Sequence, residues 1–525
     1  MNIRRFGWIT PGRLLLCLPL LLLLWLVILL YWPLSQPPLA TISARPLHLY
    51  NVQLVDVVTG EIRPGQSLWI ANGKIQRIAA TTAADIADQN WLSINGHQHY
   101  VIPGLQDMHT HSFQLAPQLL HPLWLSAGVT SVRDMSGCLT TEDSFVACAK
   151  DRMAWQQQLL QGTRSSPRYP IQSSFAINGG PEVPPSMPAF LKLQSAADAA
   201  ALVTHYQQLG VHQLKVYELL SLQQFQWLAA AARASGMELA GHQPWLVPLE
   251  AAIAAGLRSI EHGRLFLFEC SKAIAPYKAQ PLRQGVMTAD RWQQVLDTQD
   301  PMACAHKMQS LAASDSWWSP TLLTLQLGAK AMLPEFRSDP RLQTVPWLLQ
   351  QLWQADADGM IERGQGKDGR YPQQQAFALA LSHVAQAHQQ GVNIIAGTDA
   401  PDSFVFPGSG LHDELALYVE AGLTPLAALQ TATLNAARYS GTTEHSGQIA
   451  VGFDADLVLL AANPLDDIQA LRQVRGLLIA GHWYDDARLA QLQDFAIDQA
   501  GSLRINLRLA ADALRSATFR QQFAD

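Results

Sequence analysis

Eight short apolar runs, separated by stretches with helical spacing, constrain this chain more than any other feature of it. From residue 100 they read YVIPGLQDMHTH, GVTSVRDMSG, YPIQSSFAING, VHQLKVYE, MELAGHQ, RSIEHG, WWSPTLL and VNIIAGTD. Between them lie segments such as SLQQFQWLAAAARASG and PLEAAIAAG, whose closing glycines act as helix stops. Eight continuous apolar strands alternating with helices predict a (β/α)8 barrel of the α/β class. A doubly wound sheet is the structural alternative, and the polar residues at the strand ends speak against it. The longest connections, 264–316 and 324–391, are long enough to serve as lids over a site.

The barrel, placed at 101–440, is flanked by strand-rich sequence. LYNVQLVDVV, SLWIA and KIQRIAA precede it, with Asn72-Gly73 marking a hairpin turn. SGQIAVGFDADLVLLA and VRGLLIAGHWY come after it. We expect residues 47–100 and 441–486 to form the two halves of a small β-sandwich with the barrel inserted between them. Residues 487–525 read as a helical tail.

The N-terminus carries a compartment signal. Residues 14–32 contain no charge, and about 20 apolar residues suffice to cross a bilayer. Arg4, Arg5 and Arg13 precede the run, and the next charge is Arg45. The positive-inside rule then leaves 1–13 as a cytoplasmic tail. It makes 14–32 a transmembrane signal-anchor in the inner membrane, 33–46 a proline-rich linker, and the rest a periplasmic domain. A cleaved signal peptide, with export of the domain, is the alternative.

Besides Cys17, four cysteines remain, which in an exported domain permits two disulfides. Short loops favour Cys138–Cys148 and Cys270–Cys304, against the alternative of four buried thiols. The net charge of −6 over 525 residues gives no electrostatic footprint for nucleic acid.

Metal-ligand residue types gather at the strand ends. Alternation places His109 and His111 on one face of the first strand. Lys215 lies in the fourth run, His242 in the fifth, His262 in the sixth and Asp399 at the end of the eighth. Barrel enzymes build their sites at the C-terminal ends of their strands. A second His-x-His, His97 and His99, precedes the barrel and has no partners on later strands. Tyr217, two residues past Lys215, is a candidate catalytic and substrate-binding residue or else an aromatic plug in the barrel mouth. Arg133 is a candidate carboxylate clamp or else a member of an internal structural pair, with Asp134 or another residue. Asn178 and His412 are further candidate substrate contacts.

PGLQDMHTH, GVTSVRDMSG, SIEHG, AGTDA, LNAARYSG and VGFDADLVLLAANPLDDI together resemble the metal-dependent amidohydrolase superfamily, over about residues 47–484. The likeness is closest to its imidazolonepropionase-like and Xaa-Pro dipeptidase-like branch. The resemblance implies that His109, His111 and Asp399 hold a first metal and His242 and His262 a second. It implies that a carboxylated Lys215 bridges the two. An unmodified ammonium there would repel the metals, whereas a carbamate is an anion that can span them. Such a pair lowers the pKa of a shared water, and Asp399 would pass its proton to the leaving nitrogen. Zinc suits these donors, with manganese or iron as alternatives. The implied substrate is a small amide such as a dipeptide or an N-acyl amino acid. A cyclic amide opened with one metal, an ester, lactone or phosphotriester, and a non-catalytic binding barrel are the alternatives. Past Lys215 the dipeptidase pattern is commonly Gly-rich, and this chain has Tyr217-Glu218-Leu219-Leu220 instead.

Overall fold

A proline and a glycine split the first apolar run between two sheets. Tyr100–Pro103 pairs antiparallel with Leu457–Leu460 in the flanking sheet. After Gly104 the chain turns into the first barrel strand, Leu105–Thr110. A Cβ on Gly104 would lie 2.1 Å from the Thr130 hydroxyl, so no larger residue fits at this crossing. The computed structural model describes residues 29–30, 32–40, 45–180, 183, 187–278, 287–367 and 369–522.

Parallel pairing carries the barrel from Leu105–Thr110 to Val129–Asp134. Bridges Ser131–Arg168 and Asp134–Gln172 continue it to an irregular third strand, and Ser173–Gln213 and Ile177–Val216 lead on to Gln213–Val216. From there Glu238–Gly241, Leu257–Glu261, Trp317–Ser319 and Asn393–Ile394 continue in parallel register. The ring closes where Met108 N–H meets Ala396 O at 2.8 Å and Asp399 N–H meets His109 O at 2.7 Å. Closure sets the first and eighth strand ends side by side, although 288 residues separate His111 from Asp399. Most of the strand residues are buried, as expected of strands walled by helices outside and side chains within.

The two flanks hydrogen-bond into one eight-stranded sheet. At its far edge Lys74 bridges Asp454, and Ala455 N–H donates to Gly73 O. The sheet therefore rolls back toward its own middle and encloses a core that includes Leu49, Leu54, Ile70, Ile75 and Leu457. Its other face, with Ile102, Val458 and Leu477, joins the barrel core. Rolling gives a single sheet, where the sequence had suggested the two halves of a sandwich. Asn72 and Gly73 both have positive φ, the conformation a two-residue hairpin turn with right-handed strand twist requires. The structure joins Cys138 to Cys148 and Cys270 to Cys304.

One expectation needs correcting. Among the described residues no helix is long and apolar enough to cross a membrane. The structure therefore does not support the expected transmembrane helix or the inner-membrane, single-pass location. Of the segment 14–32, residues 14–28 and 31 lie outside the described residues. The proline-rich stretch after that segment packs on the barrel: Ser165 donates to Pro38 O at 2.6 Å and Gln118 to Ser35 O at 3.3 Å. From the C-terminal helix Leu503–Arg515, Arg504 and Arg508 donate to the carbonyls of Leu29 and Leu30 at 2.9 and 3.1 Å.

Candidate metal centre

Two strand ends and the turn after a third strand bring His109, His111, His262 and Asp399 together. Asp399 Oδ1 lies 2.6 Å from His111 Nε2 and 3.2 Å from His109 Nε2, and its Oδ2 lies 3.6 Å from His262 Nδ1. His242 joins through His262, their Nε2 atoms 2.9 Å apart. Asp399 and His262 both have φ above +65°, a conformation of non-glycine residues that costs about 1–3 kcal/mol and persists where surroundings impose it. Here His109 O receives the Asp399 N–H, while Ser319 O and the Trp318 indole N–H grip the backbone of His262 at 2.8 and 3.0 Å.

Burial and charge set the protonation states. Desolvation pushes His242 down to about 4 and His262 well below the usual imidazole value, so both rings are neutral. Burial alone would raise the Asp399 carboxyl, but His109 and His111 hold it well below the usual carboxylate range. Desolvation also lowers Lys215, against the pull of Asp399 and Glu261. Its charge in turn depresses His111 and His242, which places it electrostatically within the same cluster.

These residues fit a divalent cation. One donor atom each from His109, His262 and Asp399 falls within 4.8 Å of the others. His109 Nε2 is buried and makes no well-aligned hydrogen bond, its neighbour being Asp399 Oδ1 at 3.2 Å, a pairing that a cation between them would satisfy. On His242 and His262 the Nδ1 atoms face Glu218 Oε1 at 3.0 Å and Thr321 Oγ1 at 2.8 Å. A proton on each Nδ1 leaves two Nε2 lone pairs pointing at one another across 2.9 Å, an arrangement a cation would relieve.

Two carboxylates that hold the histidines were not among the sequence candidates. Glu261 accepts from His109 Nδ1 at 2.8 Å and from Arg133 Nη2 at 2.8 Å, all three fully buried. Glu218 accepts from His242. Both signals were present: Glu261 directly precedes His262, and Glu218 stands in the atypical stretch after Lys215. Glu261 turns into the barrel interior, where it meets His109 and Arg133.

Arg133 is not exposed to a substrate. It is fully buried, and it donates to Met108 O at 2.5 Å, Ser259 Oγ at 2.7 Å and the Tyr439 hydroxyl at 2.7 Å, besides Glu261. Its partner is Glu261 rather than Asp134, which pairs with Arg152 at 3.1 Å. His412 is buried in the helix Ser409–Ala421 with Nε2 on Ala127 O at 2.8 Å, a packing role away from the histidine cluster. Asn178 accepts from Leu219 N–H at 3.1 Å and so braces the loop after Lys215. Tyr217 does sit at the cluster, its ring centroid 4.3 Å from that of His242 and 6.0 Å from Lys215 Nζ.

This packing allows two measurements. A Cβ on Gly397 would lie 2.6 Å from both His109 Cβ and Ser319 Oγ and 2.8 Å from His109 N. Gly397→Ala must therefore displace the first strand, at about 1–3 kcal/mol of overpacking, and should lower both the melting temperature and the metal content of purified protein. Glu261 concerns acid stability. Burial alone would raise its carboxyl, but Arg133 and then His109 hold it down at about 2, against an ordinary 4.5. A depressed folded-state value contributes stability above pH 4.5 and loses it as the pH falls toward 2. In chemical denaturation across that window, Glu261→Gln should flatten the pH slope of the unfolding free energy by about one proton.

The ring of eight strands carries at its strand ends a histidine–carboxylate cluster able to hold a metal ion. Residues 378–484 match the amidohydrolase family. That match covers about a fifth of the chain. Among curated proteins, ochratoxinase of Aspergillus niger is 34% identical over 128 residues, 21% of this chain and 26% of that protein. The chain thus spans about a quarter of the length of that relative. Among solved structures, a bottromycin amidohydrolase superposes with a TM-score of 0.67 at 23% identity, covering 87% of this chain and 91% of that one. A Xaa-Pro dipeptidase with bound methionine in its active site gives 0.58 at 19% identity, covering 84% and 100%. At these identities the structural likeness speaks for the fold.

Proposed function

We propose that this chain hydrolyses an amide bond of a small substrate, such as a dipeptide or N-acyl amino acid, at a divalent metal centre formed by His109, His111, His242, His262, Lys215 and Asp399. The single observation that carries the reading is the convergence of neutral or ion-paired donor residues from the first, fifth, sixth and eighth strands on one buried spot. A metal held there, zinc by donor type with manganese or iron as alternatives, would activate a water and polarise the substrate carbonyl. Burial lowers the Lys215 pKa, which raises the share of free amine that carbamate formation needs.

The chain's own residues supply the rest. Asp399, held ionised by two histidines, accepts a proton from the attacking water and returns it to the leaving nitrogen. Tyr217, whose phenol burial pushes up to about 12, stays protonated and donates a hydrogen bond to the substrate carbonyl or carboxylate. Beside His242 a small cavity of about 30 Å³ is walled by Trp245 and Phe268 and rimmed by Arg264 and Lys278, which pair with Glu218 and Glu269.

The test is a panel of dipeptides, N-acyl amino acids, cyclic amides and esters assayed before and after exhaustive chelation. The reading expects amide turnover that chelation abolishes and divalent metal restores. Turnover that survives chelation, or esters cleaved with no amide among the substrates, overturns it.

A further inference from the structure

Glu218 lies just past the fourth barrel strand, Gln213–Val216, where the chain leaves the Gly-rich pattern of the dipeptidase-like branch. Its carboxylate is largely buried and has three partners. Oε1 accepts from His242 Nδ1 at 3.0 Å and from Arg264 Nη2. Oε2 accepts from the Trp245 indole at 3.2 Å, and the Trp245 N–H donates to Glu218 O at 2.9 Å. Arg264 Nη2 also lies 3.0 Å from His242 Nδ1. Nδ1 faces one group that only accepts and one that only donates; Arg264 Nη2 already donates to Oε1, so the arrangement that also gives the carboxylate the ring proton has that proton on Nδ1. The lone pair is then on Nε2, which faces His262 and the rest of the centre.

We propose that Glu218, clamped by Arg264 and Trp245, is the positioning residue for His242: it fixes the tautomer and ring orientation that present Nε2 to a metal. The proposal rests on the reading of His242 as a metal ligand. Carboxylates that receive the second N–H of a ligating histidine raise its basicity, and losing one typically costs about 10–100-fold in metal affinity. Arg264 balances the added negative charge, so the carboxylate remains ionised without weakening the neighbouring donors through a net field. The arrangement parallels Arg133–Glu261–His109. Each half of the centre therefore has its own Arg–Glu–His relay.

The experiment is a Co2+ titration of the metal-stripped full-length protein, read by visible absorption and equilibrium dialysis. It compares wild type, Glu218→Ala, Glu218→Gln and His242→Ala. Glu218→Ala should weaken Co2+ binding about 10–100-fold and alter the visible spectrum in a metal-free protein that is still folded. Glu218→Gln keeps an oxygen that can accept from Nδ1 and loses the charge. It should show a smaller loss, and it carries the test if the alanine variant does not fold. Wild-type affinity in both Glu218 variants, with a loss in His242→Ala, overturns the positioning role and leaves His242 a ligand. Wild-type affinity in His242→Ala as well removes His242 from the centre, and the proposal with it.

Discussion

Asp399→Asn should lower amide turnover about 10³-fold, within the roughly 10²–10⁴ range of general acid–base catalysis, while the barrel stays folded. Asn keeps the shape of the side chain and one oxygen toward His111 and His109, so closure of the ring by the backbone N–H of residue 399 to His109 O survives. What it loses is the ionised carboxylate that two histidines hold well below its usual range. Steady-state kinetics on the best amide substrate, with metal content measured on the same sample, separates a lost proton carrier from a lost ligand. An Asp399→Asn variant with full metal and full activity removes Asp399 from the proposed chemistry.

Arg133→Met should destabilise the protein by about 3–5 kcal/mol, the usual cost of breaking a buried ion pair from one side. The guanidinium is fully buried, and its ring of acceptors includes Met108 O, Ser259, Tyr439 and Glu261. Removing it leaves the Glu261 carboxylate in the barrel interior with only His109 and Ser259 to meet it. Denaturant unfolding measures the loss. The double variant Arg133→Met with Glu261→Gln should recover part of it, because the stranded charge is gone. A single variant as stable as wild type shows that the pair adds nothing to the fold.

Fold class and donor set differ in how far local sequence carries them. Apolar runs alternating with helical segments announce α/β structure because burial on both faces demands continuous hydrophobic strands. The boundary at the first strand was less legible. Tyr100–Pro103 and Leu105–Thr110 read as one run, and only the Pro103-Gly104 turn sends them to different sheets. The rolled flanking sheet was read as a sandwich because strand periodicity says which face is apolar but not how far a sheet curls. Arg133 shows the same limit. A charged residue at a strand end reads equally as an outward clamp or an inward pair. Here the register and the space beside Tyr439 and Glu261 turn it inward.

The residue types at the strand ends were determined by the sequence alone: histidines on the first, fifth and sixth strands, a lysine on the fourth, an aspartate on the eighth. Spacing of two along a strand is enough to align His109 with His111, because successive side chains alternate. Tertiary structure decided which carboxylate holds which histidine. Glu261 reaches His109 across 152 positions and Glu218 reaches His242 across 24. Such partnerships depend on register and ring closure, which sum small local twists over eight strands, and no local pattern encodes that sum.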